Sequence, residues 1–305
     1  MTATRSWIEE AEAILRESPA VPFLRDVSLR TRTAFGLGGP ARLFLTPREP
    51  DRLAVVLRRL HEAEVPFEFL GAGSNLLVAD EGPSFVVIAS EGFDEEPNIL
   101  GDRVRVGAGY PAPKLVKRLV KAGLSGIEFA EGIPGSVGGC VRMNAGWHEG
   151  AFGNAVAEVA CIARHGAIES IVPDPETFAY RKSPGLDGRF VTGVTLRLEP
   201  HDPVLIQERV RGYHDQRVRT QPAGARNAGC VFKNPPGDHA GRLIDAAGLK
   251  GAAIGRAVVS DIHANFIINQ GGATCSDVRR LIDLVRDKVR RSSGVSLEQE
   301  VILWT

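Results

Sequence analysis

The chain has no CxxC pair, no HExxH or HxH string, no GxxxxGK[ST] phosphate loop and no apolar run longer than a strand. Cys140, Cys161, Cys230 and Cys275 lie far apart, which argues against a disulfide framework or a structural zinc. His61–Glu62 and His148–Glu149 are lone pairs that read as solvated surface, so no metal is expected. Excess charge is missing as well. Lys+Arg and Asp+Glu number 37 each, with no block of one sign, so neither nucleic acid nor an anionic membrane is an expected partner. The longest apolar runs, such as Phe85 to Ala89, fall far short of a membrane span. The opening MTATRSWIEEAEAILRESPA lacks the basic start and apolar core of a signal peptide, and it places Ile8, Ala11 and Leu15 on one face of a short helix. The expected location is the cytoplasm.

What the chain has in excess is glycine: 34 of 305 residues, about 11% against an average near 7%. Its length suggests two domains, and its 43% hydrophobic and 24% charged residues are those of a folded globular protein. From Pro50, Leu53, Val56, Leu57 and Leu60 mark an amphipathic helix that runs into the strand PFEFL, which stops at Gly71. PAPKLVKRLVKAG reads as a helix opened by proline and closed by Gly123. Both halves thus read as strand, glycine turn and helix. Residues 126–150 read as one long loop, and the stretch to Pro200 as strands.

The composition shift at Glu199-Pro-His-Asp-Pro is the best domain boundary. Beyond it the pattern predicts helices near 204–219 and 240–247, a strand NFIIN, and a long helix with Thr274 and Asp277 as a capping box and Gly294 as its stop. The final strand, VSLEQEVILW, would point Val295, Leu297, Val301 and Leu303 one way, and Glu298, Glu300, Ile302 and Trp304 the other. The class is α+β.

Two loops stand out: Gly71-Ala72-Gly73-Ser74-Asn75 and Gly132-Ile133-Pro134-Gly135-Ser136-Val137-Gly138-Gly139. Without Cβ atoms, backbone N–H groups can converge on an anion, and two such nests would suit a pyrophosphate. GAGSNL lacks the third glycine of the Rossmann fingerprint, so the residues support a dinucleotide site on some other fold.

Five of the eight asparagines (Asn75, Asn144, Asn234, Asn265 and Asn269) fall in these punctuated segments, and Lys233, one of seven lysines, lies in GCVFKNP. Such a loop suits a polar ligand, although Cys230 could equally be a buried thiol, and Asn234 and Asn269 turn caps. Arg181, in Tyr180-Arg181-Lys182-Ser183, could hold a carboxylate or phosphate, or could simply be surface.

At TRTAFGLGGPA, FLGAGSNLLV, GIPGSVGG with MNAG, YRKSPG, AGCVFKNP, HANFIIN and LEQEV, in that order over about 30–303, the chain resembles the MurB family, the UDP-N-acetylenolpyruvoylglucosamine reductases. The resemblance implies a two-lobed FAD-binding domain of the PCMH (vanillyl-alcohol-oxidase-like) type over 30–199, with lobes about 30–90 and 91–199, preceded by a lead-in over 1–29. It further implies a smaller α+β substrate domain over 200–294 and a last strand, 295–305, that returns to the FAD domain. MNAGWHEG lacks the tyrosine-bearing insertion of the type I branch, so the chain looks more like type II.

The implied reaction belongs to peptidoglycan precursor synthesis. NADPH reduces non-covalent FAD, and hydride then passes to the vinyl carbon of an enolpyruvyl UDP-sugar. Gly71, Ala72, Gly73, Ser74, Asn75, Gly132, Ile133, Pro134, Gly135, Ser136, Gly138, Gly139 and Asn144 would bind the cofactor. Arg181 would clamp the substrate carboxylate together with a protonated Glu300, while Arg219, Lys233 and Asn234 would hold the UDP-sugar. The family's usual proton donor is the serine of AGSxFKNP. Cys230 stands there in this chain, and a thiol, with an ordinary pKa of about 8.5, can still donate a proton. A monomer is expected. The competing readings are another flavin oxidoreductase on the same scaffold, or a non-catalytic nucleotide binder.

Overall fold

A computed structural model describes residues 6–18, 20–148 and 150–305, and Glu149 of the His148–Glu149 pair lies outside them. The chain divides into two compact units: residues 1–26, 42–72 and 85–215, and residues 27–41, 73–84 and 216–305.

The first unit holds two sheets with separate cores. After helix α1 (Trp7–Arg16), capped by a Ser6/Glu9 box, comes a four-stranded sheet in the order Phe23–Ser28, Pro40–Leu45, Val86–Ala89, Phe67–Leu70. Phe67 to Leu70 run parallel to Val86 to Ala89. Helix α2 (Pro50–Glu62) buries the predicted Leu53, Val56, Leu57 and Leu60 among Leu43, Leu45 and Ile88 of this sheet. The second sheet is antiparallel, in the order Ile168–Ile171, Val156–Ala163, Arg189–Arg197, Arg103–Gly107, Asn98–Leu100. Helix α3 (Ala112–Ala122) packs Leu115, Val116 and Leu119 into its core, and the left-handed Gly123 (φ 67°) ends the helix.

The segment expected as one loop over 126–150 contains a 3-10 turn at Glu128–Ala130 and a short helix, α4 (Val137–Arg142). No period announces so short a helix. Likewise the GAGSN loop leads into a strand, Leu76–Val78, and not into a helix. The strand–glycine–helix reading therefore fails for the first loop. Helix α5 (Pro203–Thr220) spans the change of unit, which falls after residue 215, later in the chain than the Pro-rich boundary near 200.

The second unit is built on helix α7 (Cys275–Ser293). The Thr274/Asp277 capping box starts it, and Gly294 (φ 75°) stops it. Val278, Leu281, Ile282, Val285 and Val289 form its buried stripe, each worth about 2 kcal/mol of burial. They pack with Leu243 and Ile244 of α6 (Ala240–Ala246) and with Val259 and Ile267 of a small antiparallel sheet.

Two short pieces, 27–41 and 73–84, which lie in the region expected as FAD domain except for residues 27–29 of the lead-in, belong to this unit. Leu76 to Val78 pair in parallel with Ile302 to Trp304, and the Asp80 carboxylate accepts the N–H groups of Cys275 (2.9 Å) and Ser276 (3.3 Å) at the start of α7. The terminal strand, expected to return to the FAD domain, pairs with a segment of the 30–90 region, and both partners sit in the second unit. Only Ile302–Trp304 of the predicted ten-residue strand is regular. Trp304, on the same face as Glu298 and Glu300 in the sequence pattern, is buried where its strand pairs with Leu76 to Val78.

Candidate functional site

In the first unit the start of one glycine loop lies against the other. A Cβ on Gly71 would stand 3.1 Å from the Ser136 hydroxyl and 3.5 Å from Gly139 Cα, so the two loops meet closely there. The Ser136 hydroxyl accepts the Gly139 N–H (3.3 Å) as the N-cap of α4. Val137 and Gly138 donate to the carbonyls of Tyr110 (2.9 Å) and Ala108 (2.8 Å). The Val137 and Gly138 amides therefore anchor the loop to the antiparallel lobe. Within the second unit, Gly73 (φ 66°) accepts the Ala34 N–H (3.0 Å), and a Cβ there would stand 1.9 Å from the Arg32 carbonyl. The Asn75 side chain donates to the Glu300 carbonyl (3.2 Å).

Arg181 is the second central residue of a tight turn closed by Ala179 N–H to Lys182 O (2.9 Å) and Lys182 N–H to Ala179 O (3.2 Å). It adopts φ 55°, a conformation that costs a side-chain-bearing residue roughly 1–2 kcal/mol. Its half-buried guanidinium lies 5.1 Å from the Tyr180 ring centroid. Asn144, expected to touch the cofactor, is buried and uses both ends of its amide within the chain. It donates to Ala179 O (2.9 Å) and accepts the Gly153 N–H (2.9 Å).

In the second unit the structure brings Cys230, Lys233, Glu298 and Glu300 onto two adjacent strips. Glu300 N–H donates to Val231 O (2.8 Å) and Lys233 N–H to Glu298 O (2.8 Å), with Phe232 opposite Gln299. Antiparallel pairing therefore sets half-buried Cys230 one residue from the partner of half-buried Glu300. The Lys233 ammonium meets the exposed Glu298 carboxylate at 2.6 Å. The strip pairing that makes Glu298 its partner spans 65 residues of sequence. Asn234 is exposed and accepts the Ala240 N–H (3.0 Å), the turn-capping role that sequence had left open. Arg219 is exposed in the last turn of α5.

The other face of the Cys230 strip rests on Asn265, a residue for which sequence offered no role. Its side chain accepts the Phe232 N–H (2.9 Å) and donates to Phe232 O (2.8 Å), while its own carbonyl accepts the Val231 N–H (2.8 Å). Asn265 N–H in turn donates to His263 Nδ1 (3.2 Å), which must be unprotonated to accept it. Burial holds the His263 imidazole below its ordinary range, and the charge of Lys250 lowers it further. A depressed folded-state pKa means stability that is complete above the ordinary histidine pKa, about 6.5, and lost as pH falls through the folded value. The Tm of the protein should therefore fall more between pH 7 and pH 5 than that of His263→Gln. Equal falls in thermal denaturation would remove His263 as the cause.

Among the described residues, no group of three or more His, Cys, Asp and Glu could hold a metal ion, and no helix is long and apolar enough to cross a membrane.

Comparison with known proteins adds the following. The family model described as UDP-N-acetylenolpyruvoylglucosamine reductase, C-terminal domain, matches residues 221–304, and that described as FAD binding domain matches residues 41–171. The chain is 45% identical to a UDP-N-acetylenolpyruvoylglucosamine reductase of Anaeromyxobacter sp. over 282 residues, 92% of this chain and 88% of that protein. It is 41% identical to the Geobacter metallireducens protein of the same name, over 96% of this chain and 97% of that one. Among solved structures it is similar to UDP-N-acetylenolpyruvylglucosamine reductase from Thermus caldophilus, with a TM-score of 0.80 and 38% identity, covering 93% of this chain and 99% of that chain.

Proposed function

The chain belongs to the UDP-N-acetylenolpyruvoylglucosamine reductase family, and from that premise we propose that it reduces the enolpyruvyl ether of UDP-N-acetylglucosamine to UDP-N-acetylmuramate, with NADPH as reductant. It is an FAD-dependent oxidoreductase. The residues fit that cofactor. Gly71 meets Ser136 and Gly139 closely, with little room for a Cβ, and with the Val137 and Gly138 amides tied to the lobe, the Gly132–Ser136 and GAGSN backbones would hold the diphosphate. FAD held there would supply the two-electron chemistry that links NADPH to the vinyl group of the substrate.

The chain's own side chains supply the rest. Arg181, presented on its turn, would pair with the substrate carboxylate and so steady the charge that develops beside it. The Cys230 Sγ–H would deliver the proton to the carbon bearing that carboxylate, and the Glu300 carboxyl would complete the polar wall. Lys233, Asn234 and Arg219 would bind the UDP-sugar. Because its substrates are soluble nucleotides, the enzyme would work in the cytoplasm, and it would act as a monomer.

The observation that supports this reading is the pairing of the Cys230–Lys233 strip with Glu298–Glu300, in which Lys233 meets the Glu298 carboxylate and Cys230 lies one residue from the partner of Glu300. The test is NADPH consumption by the purified protein with and without the enolpyruvyl UDP-sugar. Consumption should require the sugar, and the product should carry two added hydrogens. Turnover that needs oxygen and no sugar would favour a different flavin oxidoreductase.

A further inference from the structure

Asn144, Arg181 and the strip between them form a braced unit. Asn144 follows α4 directly and is itself held at φ 41°, its N–H donating to Val141 O (3.0 Å). Its amide then spans two segments, donating to Ala179 O and accepting from Gly153 N–H, each at 2.9 Å. Ala179 is the residue whose N–H and carbonyl close the Tyr180–Arg181 turn. The far side of that turn is fixed to the same helix. The fully buried Ser183 hydroxyl donates to Val141 O (2.7 Å), and Arg142 pairs with Asp187 (2.7 Å). The turn that presents Arg181 is therefore bolted at both ends to the short helix that ends the second glycine loop. The amide keeps one N–H and one lone pair, but at 8% exposure Asn144 presents little of them to a cofactor.

We propose that Asn144 is a positioning residue for Arg181 and not a cofactor ligand. It holds Ala179 so that the arginine of the strained turn faces the substrate carboxylate, a role that rests on the function proposed above. Glycine adopts φ 41° without strain, so Asn144→Gly removes only the two side-chain bonds.

Three readouts test this in the flavin-loaded protein. Bound FAD per chain and the rate of flavin reduction by NADPH should stay within about twofold of wild type. Reoxidation by the enolpyruvyl UDP-sugar should slow about tenfold, with a matching rise in KM for that substrate. Limited trypsin cleavage after Arg181 or Lys182 should accelerate. Ser183→Ala, which frees the other end of the strip, should show the same split more weakly, and it serves if Asn144→Gly does not fold.

Loss of FAD together with both half-reactions would make Asn144 a cofactor ligand. Unchanged kinetics and trypsin cleavage would remove the brace, and failure of both variants to fold would reduce it to a structural element. If wild-type protein does not act on the enolpyruvyl sugar at all, the proposed function fails, yet the trypsin result still decides whether Asn144 holds the turn.

Discussion

Cys230→Ala is expected to lower turnover about a thousandfold, within the range general acid catalysis contributes, while NADPH still reduces the bound flavin at the wild-type rate. Cys230→Ser should stay within about tenfold of wild type, because a hydroxyl in the same place can deliver the proton. The geometry makes the test sharp. Cys230 enters a strip whose backbone is fixed on one face by Asn265 and on the other by Glu298 and Glu300, so neither exchange should move its neighbours. Stopped-flow spectra separate the two half-reactions, and alanine turning over like wild type would dismiss Cys230 as donor.

The same cysteine should be the first to react with a thiol reagent. Burial pushes the Cys140 thiol up to about 12, and it pushes Cys161 and Cys275 up to about 11, whereas Cys230 is only half-buried and in no disulfide. Stoichiometric alkylation, followed by peptide mass analysis, should find the label on Cys230 along with a loss of turnover. Substrate should protect against both.

Asn265→Ala should cost the second unit about 4 kcal/mol and lower Tm by on the order of 10 °C, because each of two buried backbone groups left without its partner costs about 1–3 kcal/mol. Both belong to Phe232, and both are now satisfied by one side chain with 2% exposure. Asn265→Asp should be no better. Its carboxylate can accept the Phe232 N–H but turns an oxygen toward the Phe232 carbonyl. Urea or thermal unfolding measures the loss, and a Tm within two or three degrees of wild type for both variants would mean that water or a backbone shift replaces the bonds.

Local signals predicted local structure well. The stripe of α7, its Thr274/Asp277 box and its Gly294 stop all follow from residues within one or two turns of each other, as does the Pro50–Glu62 helix. The glycine loops, the Arg181 turn and the Cys230 strip were visible as strings of unusual residues. What those strings bond to was not. Asn144 carries the same label as a cofactor ligand or a brace, and only its partners Ala179 and Gly153 distinguish the two. Asn265 lies 33 residues from Phe232, and no period in the sequence spans that gap. Short elements failed for the opposite reason: the six residues of α4 are too few to show a repeat of 3.6.

Residue order alone settled which segments could be helices and strands, where backbone had to go without side chains, and which family the motifs resemble, because propensity, capping and glycine tolerance act over a few residues. Folding in three dimensions decided the rest. It drew 27–41 and 73–84 into the second unit, since Leu76–Val78 found hydrogen-bond partners in the last strand and Asp80 found the start of α7. It also decided which polar side chains are spent as structure, because a hydrogen bond depends on distance through space and not along the chain.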